Sequence, residues 1–195
     1  YEIYQCDWSS DVCSSDLLHD SGSIAAHVAE LGAAIAEDHP AGDLVLVSVL
    51  KGGAVFLADL IRAIPRSLSV DFMALSPFGS DGDAGGRVRI VKDLDEPIDG
   101  RAVVVVEDIV DTGLTLAYLR SILLARHPVS VEVCTLLDRA VRRIAPLDIR
   151  YVGFDCPDLF VVGYGLDLDQ HHRNIPHVVA VEDVAAAQEI GRAHV

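Results

Sequence analysis

Residues 103–115 read Val-Val-Val-Val-Glu-Asp-Ile-Val-Asp-Thr-Gly-Leu-Thr, and they are the most informative residues of the chain. Four successive valines predict a strand that is buried on both faces, as strands inside a parallel sheet are. Glu107 and Asp108 follow where we expect that strand to end, and residues 111–115 predict a tight turn before an apolar helical pattern. This order is typical of an open α/β sheet, in which ligands bind at the carboxyl ends of the strands.

The turn at residues 111–115 has the features of a phosphate-binding site. A turn at a helix N-terminus offers free backbone N–H groups and the positive end of the helix dipole. The neighbouring carboxylates of Glu107 and Asp108 suit a second task, such as accepting hydrogen bonds from sugar hydroxyls or binding a metal ion. An ordinary capped helix needs a single Asp or Thr, and a Walker P-loop would need a Gly-Lys-Ser/Thr that is missing from this turn. The stretch therefore indicates a phosphorylated sugar as the ligand.

The same residues resemble a known signature. Four apolar residues, Glu-Asp, two further residues and Asp-Thr-Gly-x-Thr resemble the 5-phosphoribosyl-1-pyrophosphate (PRPP) motif of the type I phosphoribosyltransferases. Leu50-Lys-Gly-Gly53 resembles the pyrophosphate loop of the 6-oxopurine (hypoxanthine/guanine) members, and residues 151–176 resemble them in order and spacing. The resemblance covers essentially all of 22–182. It implies an α/β fold with a Rossmann-like parallel sheet flanked by helices, a small hood subdomain and a flexible active-site loop.

The resemblance implies a reaction and a set of site residues. The reaction is purine salvage, in which hypoxanthine and/or guanine takes the 5-phosphoribosyl group from PRPP with Mg²⁺, giving IMP or GMP and pyrophosphate. We expect Asp111 to be the catalytic acid or base at purine N7, and Glu107 and Asp108 to hold the ribose hydroxyls. The other expected contacts are the 5′-phosphate at Asp111, Thr112, Gly113, Leu114 and Thr115, pyrophosphate at Lys51, Gly52 and Arg173, the purine at Arg139, Phe160 and Val161, and the magnesium at Asp167, Glu107 and Asp108.

These residue types suit their implied partners. An aromatic ring stacks on a flat base, a carboxylate is a hard ligand for Mg²⁺, and a guanidinium matches phosphate oxygens. Two alternatives remain: a phosphoribosyltransferase for another base, such as xanthine, and a non-catalytic PRPP- or purine-sensing regulator on the same fold. Such a regulator would need a basic face or an added DNA-binding domain. The resemblance also implies a homodimer or a homotetramer.

Three departures from the family pattern concern base preference and loop closure. Arg139 stands where the family usually has a Lys that donates to the 6-oxo group, and the two side chains are not interchangeable. Pro77-Phe78 replaces the usual Ser-Tyr in the loop predicted at 76–87, so Pro77 has no N–H to give. His171 and His172 replace aromatic residues, and as a zinc site this pair lacks further ligands.

Both ends of the chain are expected to be foreign sequence. One codon choice for residues 11–17 has a reverse complement that translates as residues 189–195 at all seven positions. The DNA so inferred resembles a sequencing-library adapter. We therefore expect residues 1–17 and 189–195 to be tails to exclude from fold arguments, which leaves a single domain at 18–188.

Composition narrows the partners and the compartment. The whole chain has 15 Lys+Arg and 30 Asp+Glu, and without the predicted tails 14 and 25 remain, a formal net charge of −11. Such an acidic chain argues against nonspecific binding to nucleic acid or anionic membranes, and no apolar run has membrane-spanning length. Cys134 and Cys156 lack the spacing of a metal site or redox motif, so we expect reduced thiols in a cytoplasmic protein.

Elsewhere, apolar periodicity predicts strands alternating with helices, as in a parallel sheet. Ser21 or Ser23 is expected to cap the first helix. Four glycines and a proline within 76–86, with no apolar periodicity, predict a mobile loop. The predicted helices span 24–36, 55–64 and about 116–126, and the predicted strands span 44–50, 68–75, 88–91, 102–106, 130–137, 151–154, 160–164 and 178–181.

Overall fold

The computed structural model of the chain describes residues 15–77 and 88–181. The helices are Ser21–Asp38 (α1), Gly53–Ala63 (α2) and Leu114–Leu124 (α3). The strands are Ser15–His19 (β1), Leu44–Leu50 (β2), Ser69–Pro77 (β3), Val88–Lys92 (β4), Ala102–Val110 (β5), Ser130–Asp138 (β6), Tyr151–Asp155 (β7), Phe160–Val162 (β8) and Val178–Val181 (β9). Phe78 and most of the predicted loop at 76–87 lie outside the described residues, as do residues 1–14 and the whole C-terminal tail.

Two sheets organise the described residues. The larger has six strands in the order β4-β3-β2-β5-β6-β7, with every pair parallel except β3 and β4. The smaller is an antiparallel sheet in the order β1-β9-β8, and it corresponds to the predicted hood. The predicted Rossmann-like parallel sheet flanked by helices is therefore confirmed. Within residues 15–77 and 88–181, no helix is both long and apolar enough to span a membrane.

The valines of β5 are buried because helices cover both faces of the large sheet. Val104 and Val106 pack in one apolar layer with side chains from α1 and α2. Val103 and Val105 point to the other face and pack with Leu116, Leu119 and Leu123 of α3. Each fully buried valine contributes about 1.5–3 kcal/mol relative to an exposed one. Successive side chains of the strand point to opposite faces, and helices cover both faces, so every position of the run is apolar.

Two local predictions were wrong, and the orientation of one edge strand was not predicted. The central strand does not end before Glu107, because β5 continues to Val110 and pairs with β6 as far as Val110↔Asp138. The first helix is capped by Asp20 and not by Ser21 or Ser23, since Asp20 Oδ1 accepts from Gly22 N–H at 2.8 Å and Ser23 N–H at 2.9 Å. The fourth strand runs antiparallel to its neighbour, so it forms the edge of an otherwise parallel sheet.

Candidate active site

Three chain segments meet at the carboxyl edge of the large sheet: the turn after β2, the end of β5, and the segment after β8. A Cβ added to Gly52 would lie 1.7 Å from Asp108 Oδ2, and one added to Gly165 would lie 2.3 Å from the Gly52 carbonyl oxygen. Neither position leaves room for a side chain. Glycine therefore lets the turn after β2 lie against the Asp108 carboxylate and lets Gly165 lie against the backbone of Gly52. The structure therefore brings together the predicted pyrophosphate loop and the predicted PRPP motif.

The turn at residues 111–115 borders a cavity of about 220 Å³ at the N-terminus of α3. Gly113 has a φ of +77°, a left-handed conformation that favours glycine, and no side chain caps the helix from this position. The Leu114 N–H donates to Thr112 Oγ1 at 3.4 Å. Helix N–H groups and threonine hydroxyls beside a cavity of this kind suit a phosphate. The cavity is lined by Val49, Glu107, Ile109, Val110, Asp111, Thr112, Gly113, Thr115 and Leu116.

Glu107 and Asp108 are neighbouring acidic side chains that are withdrawn from solvent at this edge of the sheet. Burial raises the pKa of Glu107 well above its ordinary value, and the neighbouring Asp108 raises it further. Burial also raises the pKa of Asp108, although the Ile109 N–H and the charge of Arg173 act in the opposite direction. A divalent cation or sugar hydroxyls would relieve this cost of burying negative charge. The pair is therefore disposed to bind such a ligand.

Asp111 lies among three arginines. Its Oδ2 is 3.5 Å from Arg139 Nη1 and 3.8 Å from Arg142 Nη1, and its main-chain carbonyl accepts from Arg143 Nε at 3.0 Å. Its other oxygen, Oδ1, is buried and has no hydrogen-bond partner in the described part of the chain. The guanidinium groups hold the carboxylate in place, and its side chain remains 38% exposed beside the cavity. Sequence reasoning missed Arg142 and Arg143, although three arginines within 139–143 after a strand end could have revealed them.

A second cavity, of about 240 Å³, adjoins the first and suits a flat base. Phe160 opens β8 and remains 38% exposed, so one ring face is available for stacking, whereas Val161 is buried. Arg139 is almost fully buried, donates from Nη2 to the Leu159 carbonyl at 2.6 Å, and keeps an unpartnered Nε among the described residues. The lining comprises Asp108, Ile109, Asp111, Arg139, Phe160, Val161, Leu166 and Asp167.

The predicted pyrophosphate cations lie beside the predicted metal carboxylate. Arg173 donates from Nη1 to the Gly165 carbonyl at 2.7 Å and pairs through Nη2 with Asp167 at 2.6 Å. Lys51 Nζ donates to the side chain of Gln170 at 3.0 Å. Sequence reasoning missed Gln170, and nothing in the local pattern marked it out from its neighbours.

A divalent metal would need ligands from the substrate at this site. Asp108 and Asp167 interact electrostatically, and their oxygens are the hard donors that such a metal prefers. In the described ranges, however, no three His, Cys, Asp or Glu side chains are grouped to hold a metal ion. The donor set fits a metal bound by one or two carboxylates plus phosphate oxygens. The His171 and His172 rings, 6.3 Å apart edge to face, gain no third ligand from that part of the chain.

Comparison with known proteins supports one family. Residues 14–169 match the model of the phosphoribosyl transferase domain family. The chain is 45% identical over 183 residues to the hypoxanthine-guanine phosphoribosyltransferase of Mycobacterium avium, a match that covers 91% of this chain and 87% of that protein. It is 44% identical over 165 residues to the hypoxanthine phosphoribosyltransferase of Escherichia coli strain K12, covering 84% and 93% of the two chains.

Solved structures agree with the sequence comparisons. The hypoxanthine phosphoribosyltransferase of Staphylococcus aureus superposes with a TM-score of 0.84 at 39% identity, covering 89% of this chain and 94% of that one. A hypoxanthine-guanine phosphoribosyltransferase of Bacillus anthracis superposes with a TM-score of 0.82 at 41% identity, covering 85% and 98%. The likeness thus extends over most of the chain.

Proposed function

Because the chain belongs to the phosphoribosyltransferase family and, within it, to the hypoxanthine-guanine phosphoribosyltransferases, we propose that it is a purine salvage enzyme. It transfers the 5-phosphoribosyl group of PRPP to hypoxanthine or guanine and releases pyrophosphate. One observation carries the proposal: a phosphate-sized cavity and a base-sized cavity adjoin at one sheet edge and share Asp111. That carboxylate is therefore placed where the sugar and the base would meet.

The reaction is a displacement at C1′ of the ribose. The bond from C1′ to the pyrophosphate oxygen breaks as a bond from C1′ to N9 of the purine forms, and the proton on N7 leaves the base. The Asp111 carboxylate, whose side chain is 38% exposed and lines both cavities, accepts that proton. Glu107 and Asp108 hold the ribose hydroxyls and place negative charge near the cationic sugar of the transition state. The N-terminus of α3 anchors the 5′-phosphate.

Family members use PRPP together with a divalent metal, and we propose Mg²⁺ for this chain. Asp167 would hold the ion directly or through water, with Glu107 and Asp108 contributing from the ribose side. When bound, the ion supplies positive charge that neutralises the departing pyrophosphate. On the same side, the ammonium group of Lys51 and the guanidinium group of Arg173 would bind the pyrophosphate. Gly52 has no side chain, so its backbone can approach the pyrophosphate closely.

Arg139 is our candidate for reading the 6-position of the base. Its guanidinium donates to the Leu159 carbonyl and pairs with Asp111, so this donor group has a fixed position beside the base cavity. A fixed donor favours a 6-oxo group, whereas the 6-amino group of adenine would present a second donor. Rejection of adenine then follows, because the buried donor would be left unpaired.

A panel of bases tests the function. Product formation from PRPP and Mg²⁺ is followed with hypoxanthine, guanine, xanthine and adenine in turn, for the natural chain and for Arg139→Lys. We expect turnover of hypoxanthine or guanine, and a changed KM for the base but not for PRPP in the variant. Turnover of xanthine alone would favour the alternative base. Binding of PRPP without reaction of any base would favour a sensing regulator.

Two further properties are proposals that the comparisons leave open. We propose a homodimer or homotetramer, as the resemblance implies, which light scattering of the purified protein would measure. We also propose a reducing, cytoplasmic location, because Cys134 and Cys156 are both buried and free. The small-molecule partners are then PRPP and a 6-oxopurine.

A further inference from the structure

Gln170 lies between the two cations of the pyrophosphate side. Its Oε1 accepts from Lys51 Nζ at 3.0 Å and from Arg173 Nη2 at 3.4 Å. Its amide nitrogen is 3.5 Å from Asp167 Oδ2, the carboxylate that the proposed metal would use. A single carboxamide therefore presents an oxygen to both cations and an N–H group to the metal-side carboxylate.

The backbone of the turn fixes this position. Three residues of the turn have positive φ values: +49° at Asp169, +70° at Gln170 and +72° at His172. Residues other than glycine rarely adopt this left-handed backbone conformation. The Gln170 N–H donates to Asp167 Oδ2 at 2.9 Å, and Leu168 and His171 form an isolated β-bridge. The local contacts hold a strained turn that directs the Gln170 side chain toward Lys51.

We propose that Gln170 is a placeholder for pyrophosphate, and this inference rests on the proposed function. In the unliganded enzyme its carboxamide occupies the position of a pyrophosphate oxygen, and the incoming pyrophosphate group of PRPP displaces it. An anionic oxygen is a stronger partner for Lys51 and Arg173 than a neutral amide oxygen, so the exchange favours the ligand. The cost of the exchange lowers affinity for pyrophosphate, because Gln170 competes for the same two cations.

The competition predicts opposite effects for two substitutions. Gln170→Ala removes the competitor, so we expect the Kd of inorganic pyrophosphate to fall about two- to tenfold, the range that one net hydrogen bond supplies. Gln170→Glu strengthens the competitor with a carboxylate, so the Kd should rise about tenfold or more. The KM for PRPP should follow the same directions. Thermal unfolding should stay within about 1–2 °C, as for other exposed substitutions.

The experiment is calorimetric titration of the whole protein with inorganic pyrophosphate, with and without Mg²⁺. His171→Ala is the matched control, because this exposed residue lies in the same turn and its side chain contacts neither Lys51 nor Arg173 among the described contacts. Weaker or unchanged binding in Gln170→Ala would overturn the placeholder role. Failure of the natural chain to bind either pyrophosphate or PRPP would instead overturn the proposed function.

Discussion

Among single residues, Asp111 lines both cavities of the candidate site. One of its carboxylate oxygens lies near Arg139 and Arg142, and the other is buried without a partner in the described part of the chain. The guanidinium groups thus hold the carboxylate in place. Its side chain is 38% exposed, and a ligand would reach the carboxylate through this exposed part.

Substitution of Asp111 by Asn should damage turnover far more than binding. The amide keeps the shape of the side chain but cannot accept the purine proton, so kcat should fall about 10²–10⁴-fold, the usual contribution of a general base. The dissociation constant of PRPP should change by less than about threefold. Steady-state kinetics and direct titration with PRPP would measure the two effects. Equal losses in kcat and PRPP affinity would contradict a base role for Asp111.

Glu107 should make the unliganded protein less stable as the pH rises. Its folded-state pKa lies well above the ordinary value of 4.5, so the folded protein holds this proton more tightly than the unfolded chain. The stability it contributes is complete below about pH 4.5. That stability is lost as the pH rises through the raised pKa. Glu107→Gln keeps no such proton and should avoid the loss.

The measurement is the Tm of unliganded protein across pH 4–8. Glu107→Gln should match the natural chain near pH 4 and exceed it by about 2–4 °C near pH 8, roughly the effect of 1 kcal/mol in a chain of this size. The same variant should bind PRPP poorly, because a ribose ligand is lost. Glu37→Gln, on the exposed side of α1, is the control and should show no comparable trend with pH. A constant difference at every pH would rule out this origin.

Among the secondary-structure elements, the strands that border the site end at different positions along the sheet edge. The central strand β5 continues past Glu107 to Val110. Strand β2 ends at Leu50, and the turn that follows it places Gly52 beside Asp108. The valine run predicted that strand, but its end depended on pairing with β6, a long-range contact. Local pattern therefore predicted the strand and missed the length that places both acids within the sheet.

The N-terminus of α1 allows a prediction about a single helix cap. Asp20 accepts two backbone N–H groups, and these hydrogen bonds lower the pKa of its carboxylate. Asp20→Ala should therefore lower the Tm at pH 7 by about 2–4 °C, as expected for loss of an N-cap. Because the folded pKa is lowered, the stabilisation is present above the ordinary value of 3.8 and is lost as the pH falls through the folded pKa.

The matched control for the cap is Ser21→Ala, which changes the next residue, also exposed. Its Tm should differ from that of the natural chain by less than about 1 °C. Thermal unfolding followed by circular dichroism would measure both variants. A larger loss in Ser21→Ala than in Asp20→Ala would return the cap to the serine that the sequence first indicated.

At the scale of the whole molecule, we propose that residues 1–17 and 189–195 are foreign tails. The first strand begins at Ser15, inside the proposed N-terminal tail, and pairs with β9 through Val181, Ala180 and Val179. A strand ladder uses backbone groups, so almost any sequence can supply it. The pairing is therefore compatible with foreign residues at this end of the hood.

A chain of residues 18–188 should keep the activity. Every proposed site residue lies between Lys51 and Arg173, so kcat and the KM for PRPP should stay within about twofold of the full chain, as for changes remote from a site. The Tm should fall slightly, because β1 loses residues that pair with β9. Parallel kinetics and unfolding of the two chains measure this. Loss of turnover with a folded spectrum would show that the N-terminal strand belongs to the enzyme.

The class of fold and the PRPP motif could be predicted from the sequence alone, as could the chemical character of the candidate site residues. Those features are local: the valine run needs cover on both faces, and the turn at 111–115 needs glycine with a left-handed φ. Tertiary structure alone decided which partners these residues have. Arg142 and Arg143 reach Asp111 from a later turn, and Gln170 lies between two cations far apart in sequence. Such contacts depend on how the strands are ordered and where they end, and no local pattern encodes either.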